Sequence, residues 1–71
     1  MSGPRYGFSE HPLVGRRVRL IRTTDNYTSL RPGSEGTITG VDDIGTTHVS
    51  WDDGSRLGLI EGEDVWQVID A

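Results

Sequence analysis

The 71-residue chain contains no cysteine and no lysine. Without cysteine it has no disulfide framework and no thiolate metal site, the two supports on which small secreted domains often rely. No apolar run approaches the roughly 20 residues needed to span a bilayer, and no basic segment followed by an apolar run marks the N-terminus. We therefore expect a soluble, cytoplasmic domain that does not bind a membrane.

Catalytic and metal motifs are also missing. The sequence shows no set of nucleophile, base and orienting group, and no loop has the regular ligand spacing of a calcium site. The histidines His11 and His48 are isolated, and we predict that both are solvated. The sequence therefore predicts a protein that is not an enzyme and that needs no cofactor or metal. Four aspartates occur in typical turn sequences: Asp42, Asp43, Asp52 and Asp53.

The patterns that are present predict β-structure throughout. β-branched and aromatic residues alternate with polar ones in short runs, and Asp/Gly or Pro/Gly clusters close several of these runs. Five strands at this spacing indicate an all-β fold, a small closed barrel over residues 13–71, preceded by a flexible arm over residues 1–12. The side chains predicted to face the core are Val18, Leu20, Leu30, Ile38, Val41, Val49, Trp51, Leu57 and Leu59. Trp66 and Val68 are predicted to share one face of the fifth strand.

Three local features refine this prediction. Pro32 and Gly33 fit the central positions of a type II turn, in which the second residue needs a positive φ. Ile38 and Val41 are three residues apart, so Gly40 between them indicates a β-bulge that turns both side chains inward. Trp51 is predicted in the core, with its indole N–H donating to a backbone carbonyl.

Charge is unevenly divided along the chain. Residues 1–31 carry six arginines and two acids, a net +4, whereas residues 32–71 carry one arginine and nine acids, a net −8. Arg17, Arg19 and Arg22 are predicted on the outer face of the first strand, with Arg31 adjacent. Such a row of arginines can bind phosphate groups. It can equally be a charged surface that blocks aggregation or that the acidic half neutralises.

Two sequence frames resemble a known family. They are Pro-Gly-x-x-Gly-Thr-Ile from Pro32 and Trp-Asp-x-Gly-Ser-x-Leu-Gly-Leu from Trp51, within a resemblance over residues 15–69. The family consists of small uncharacterised domains from bacteria, phages and mobile elements, known only as a domain of unknown function. More loosely, Pro-Gly-x-x-Gly-Thr-Ile and the frame Val-x-Trp-Asp-x-Gly from Val49 are similar to SH3-like barrels of the KOW and Tudor kind. The resemblance implies an SH3-like barrel and a phage or mobile-element origin, and it implies no established activity.

The SH3-like resemblance directs attention to the loop over residues 24–31. In such barrels the loop after the first strand flanks the recognition groove, which would place Asp25, Tyr27 and Arg31 beside a ligand. Asp25 can alternatively cap the loop through its own backbone. The turns over residues 42–45 and 52–55, the latter containing Asp53, would complete the groove.

Three functions are compatible with these residues. The first is a non-enzymatic module that binds a protein segment or peptide in the groove. The second is sequestration of a nucleotide or other small phosphorylated ligand by the arginine row at a homo-oligomer interface. The third is single-stranded nucleic-acid binding through Tyr27 and the arginines. The sequence leaves the oligomeric state open.

Overall fold

Five antiparallel strands form one sheet in the computed structural model, which describes residues 7, 10–24 and 30–70. Most of the predicted arm, together with Asp25 and Tyr27, lies outside the described residues. The strands are β1 (Arg17–Arg22), β2 (Glu35–Val41), β3 (Thr47–Trp51), β4 (Gly58–Leu59) and β5 (Val65–Val68). The all-β, five-stranded prediction is confirmed.

The strand order is β4-β3-β2-β1-β5, so that β5 crosses back to pair with β1. Strands β4 and β5 form the two edges, and among the described residues no pairing joins them. The sheet is therefore open rather than hydrogen-bonded into a closed barrel. The described residues contain no helix that could cross a lipid bilayer.

One apolar core lies on the inner face of the sheet. Alternation in β1 buries Val18 and Leu20 completely, as the sequence predicts. Trp51 is 2% exposed, and its Nε1–H donates to the Leu57 carbonyl oxygen at 2.9 Å, which confirms the predicted indole bond. The remaining members of the core are Leu30, Ile38, Val49 and Leu59, against which Leu13, Leu57 and Trp66 pack.

The predicted irregularity in β2 is present. Ile38 pairs with Val49 and Val41 pairs with Thr47, so three steps along β2 match two steps along β3. Opposite residues of an antiparallel pair share a face, and Val49 and Thr47 are both buried, so the shift turns Ile38 and Val41 inward. Val41 is only partly buried and does not belong to the core.

The predicted turns are also present. Gly33 has a φ of +95°, and the Ser34 N–H donates to the Arg31 carbonyl at 3.0 Å, as expected of a type II turn. Gly45 has a φ of +87° in the turn between β2 and β3. Because an L side chain rarely adopts such a φ, these two turns depend on glycine.

Candidate functional site

The outer face of β1 carries Arg17 and Arg19, as predicted, and both are paired with carboxylates of the same chain. Arg17 donates from Nη1 to Asp52 Oδ1 at 2.9 Å and from Nη2 to Oδ2 of the same group. Arg19 Nη2 lies 3.0 Å from Glu35 Oε2. These contacts agree with neutralisation by the acidic half of the chain, one of the two interpretations of the arginine row.

The ion pairs also set local pKa values. The hydrogen bond from Arg17 lowers the pKa of Asp52 below its ordinary value, and the same bond raises the pKa of Arg17. At the end of the chain, Arg16 Nε donates to Asp70 Oδ1 at 2.8 Å, and this bond lowers the pKa of Asp70. Arg16, Arg17 and Arg19 therefore each have a carboxylate partner within the chain.

Arg22 and Arg31 differ from that pair. Both are exposed, and neither forms an ion pair with any other residue that the structure describes. The Gly33 N–H donates to the Leu20 carbonyl at 2.7 Å, which holds the segment after Arg31 beside the end of β1. Two of the predicted arginines are therefore left with exposed charge at one end of the sheet.

The two turns predicted to flank the groove lie at opposite ends of β3. The turn over residues 42–45 precedes β3, and the turn over residues 52–55 follows it. Asp53 accepts a hydrogen bond from the Ser55 N–H at 2.8 Å, so its carboxylate stabilises its own turn. The structure does not bring these two turns together.

His48 has a partner, which corrects the prediction of an isolated histidine. Its Nε2 lies 2.9 Å from Asp42 Oδ2. Asp42 Oδ1 also accepts hydrogen bonds from the Ile44 and Thr46 N–H groups, at 3.1 and 2.9 Å. The bond to His48, followed by the backbone bond from Thr46, lowers the pKa of Asp42. The two residues are six positions apart in sequence, and the hairpin brings them together.

Strand β5 lies at one edge of the sheet, and none of its residues was among the predicted site residues. The Ile69 N–H donates to the Arg17 carbonyl at 2.9 Å, toward β1. Backbone groups alternate in direction along a strand, so Gln67 also faces β1, whereas Trp66 and Val68 direct their N–H and C=O groups to the open side. No described strand lies on that side.

Exposed apolar side chains occur on β5, where Val65 and Val68 project from opposite faces, and near its start. The described residues include five exposed large apolar side chains, and four of them lie on β5 or beside it. Val65 and Val68 belong to β5 and are 41% and 37% exposed. Ile21 lies at the irregular step where β1 pairs with the start of β5, and the Ile60 carbonyl accepts from the Asp64 N–H at 2.8 Å. We call these four side chains the apolar patch.

Edge strands of soluble proteins are commonly protected by charge, proline or a bulge of their own. The four residues of β5, Val-Trp-Gln-Val, include neither a charged residue nor a proline. The pair of β1 and β5 has one register shift, and its extra residue lies in β1 between Leu20 and Arg22, not in β5. The sequence signal for this site was therefore an uncharged run between Asp64 and Asp70.

Comparison with known proteins places the chain in a family. A family model described as a domain of unknown function (DUF4314) matches residues 9–69. The chain belongs to this family. The match to DUF4314 includes all five strands of the chain and confirms the family resemblance expected from the sequence. Curated proteins and solved structures gave no match to this DUF4314 chain.

The described residues also include no group of three or more histidine, cysteine or acidic side chains placed to hold a metal ion. Among the described residues, the geometry offers three recognition features: a strand edge with no other strand beside it, the apolar patch on and near that strand, and a few exposed guanidinium groups.

Proposed function

We propose that this DUF4314 domain is a non-enzymatic binding module that takes an extended segment of another protein as an additional strand along β5. In this mode the peptide's main chain hydrogen-bonds to an exposed sheet edge, and neighbouring side chains give specificity. The observation that carries the proposal is the β5 edge, whose strand has no charged residue and which has four of the five exposed large apolar side chains of the described residues on it or near it.

A protein segment fits these features better than a nucleic acid does. A peptide supplies the N–H and C=O groups that pair with Trp66 and Val68, and its side chains can cover the apolar patch. Phosphate gripping by Arg17 or Arg19 would instead require breaking ion pairs with Asp52 or Glu35. The net charge of −4 also opposes binding to a polyanion.

The proposal includes an SH3-like barrel as the finer description of the fold. Its support is the strand order, in which a meander of β1 to β4 is followed by β5 returning to β1. Residence in the cytoplasm and a phage or mobile-element origin belong to the same proposal and rest on the sequence alone.

A backbone substitution at Val68 tests the proposal. A library of random peptides displayed on phage is selected on the domain, and the affinity of the best peptide is measured for the Val68→Pro and Val68→Thr proteins. Proline removes the outward N–H without removing a hydrogen bond to β1, whereas threonine keeps the N–H and the β-branched shape. We expect Val68→Pro to weaken binding about tenfold or more, the equivalent of one lost hydrogen bond.

Two controls make the result decisive. Circular dichroism and amide spectra should show both variants folded, and the Val68→Thr protein should bind nearly as well as the original. Equal affinity of the proline and threonine variants would contradict strand addition. Sedimentation at several concentrations separates one further case: a dimer that Val68→Pro dissociates would assign the edge to a second copy of the chain and overturn the proposal of a foreign segment.

A further inference from the structure

A second surface feature lies away from β5, on the outer face of β2 and β3. It is an open pocket of about 310 Å³, lined by Thr39, His48, Val49, Ser50 and Arg56. In the strand pairing, His48 lies between Gly40 on β2 and Gly58 on β4.

Arg56 gives this pocket its charge. It is the only cation among residues 32–71, and it is exposed. Within the described part of the chain it forms no ion pair, unlike Arg16, Arg17 and Arg19, which each have a carboxylate partner. A guanidinium presents several N–H donors in one plane and suits oxygen anions. In so acidic a half of the chain, an arginine left without a carboxylate is available to an external anion.

The polar wall of the pocket is held in place. The bond between His48 Nε2 and Asp42 Oδ2 orients the imidazole, and the turn N–H groups that donate to Asp42 fix the carboxylate in turn. Thr39 Oγ1 donates to the His48 carbonyl at 3.3 Å, so its proton is already used. Ser50 is exposed, lines the same pocket as Arg56 and adds a hydroxyl donor.

We infer that this pocket binds the phosphoryl group of a small molecule, with Arg56 as the principal charge and Ser50 as a hydrogen-bond donor. A tetrahedral dianion can accept from both groups at once, and a volume of about 310 Å³ lies at the lower end of small-molecule sites. This site lies on a single chain and uses none of the predicted arginine row. It does not depend on the peptide-binding proposal.

The test uses inorganic phosphate, with acetate as a second probe, at constant ionic strength. Amide spectra of the labelled protein are recorded during each titration. We expect saturable shifts with phosphate that are concentrated at residues 48–50 and at Arg56, and weaker binding of acetate. Acetate binding as tight as phosphate binding would overturn the phosphoryl assignment, and the absence of saturation at tens of millimolar phosphate would overturn the site.

Matched arginine variants separate a site from general charge attraction. Arg56→Gln should weaken phosphate binding about tenfold or more, because it removes the principal charge of the pocket. Arg31→Gln removes an exposed arginine outside the pocket that has no ion pair among the described residues, and it should leave the affinity within about twofold. Equal losses in the two variants would show that phosphate responds only to net charge. Peptide binding at β5 should be unchanged in Arg56→Gln, so that the two proposals fail independently.

Discussion

The outer face of β1 and the free edge of β5 are neighbours with opposite properties. On β1, Arg17 and Arg19 carry obvious binding chemistry, but each is already bonded to a carboxylate of the same chain. On β5, four residues without charge leave backbone donors and acceptors with no described strand beside them. A row of arginines therefore indicates a binding site only where the fold leaves the guanidinium groups without carboxylate partners.

The largest effect we expect in this comparison concerns the anchor of β5. Asp64 is buried, accepts from the Thr23 hydroxyl at 2.7 Å and accepts from the Ile60 N–H at 2.9 Å. Asp64→Ala removes the acceptor for both donors at the start of the strand. We expect the free energy of unfolding to fall by about 2 kcal/mol, since two hydrogen bonds to a carboxylate are lost. Urea denaturation followed by tryptophan fluorescence measures this.

The neighbouring acid provides the control for that prediction. Glu63 is exposed, so Glu63→Ala should change the free energy of unfolding by no more than about 0.5 kcal/mol. If the Asp64→Ala protein were as stable as the Glu63→Ala protein, the bonds to Thr23 and Ile60 would not hold β5 in place.

A smaller effect is expected from the ion pairs on the β1 side. Folding lowers the pKa values of Asp52 and Asp70 through their arginines and that of Asp42 through His48. A carboxyl with a lowered folded-state pKa contributes stability above its unfolded value of about 4 and loses it as the pH falls through the folded value. We therefore expect the urea midpoint to decrease on acidification below about pH 5.

Asp52→Asn isolates one contributor to this pH dependence. The variant cannot ionise at residue 52, so its urea midpoint should decrease less on acidification than that of the original protein. High salt should shrink the difference, because the pair is exposed and salt screens it. An identical pH dependence in the two proteins would contradict the assigned role of the bond between Arg17 and Asp52.

Much of the fold was predictable because local rules determine it. Alternation identified Val18 and Leu20 as core residues, and the spacing of Ile38 and Val41 indicated the bulge in β2. Pro32 and Gly33 identified their turn because few other residues satisfy its φ values. Trp51 was placed correctly because a buried indole needs a nearby acceptor.

The site was harder to predict because it depends on contacts between distant residues. Asp52 is 35 residues from Arg17, and only the sheet places them together. The bond between His48 and Asp42 depends on how the hairpin closes. From the sequence alone, each residue has a separate explanation: His48 as a solvated side chain and Asp42 as a turn residue. The β5 edge becomes a candidate only when the strand order shows which side of β5 has no neighbour.

Hydrogen exchange of the amides of residues 66–69 in the free protein tests whether β5 is available to a partner. If it is, Gln67 and Ile69 exchange slowly because they bond to β1, whereas Trp66 and Val68 exchange rapidly because their N–H groups face the open side. Slow exchange at all four amides would show that the edge is already covered, and it would contradict the proposal that β5 is available to a partner.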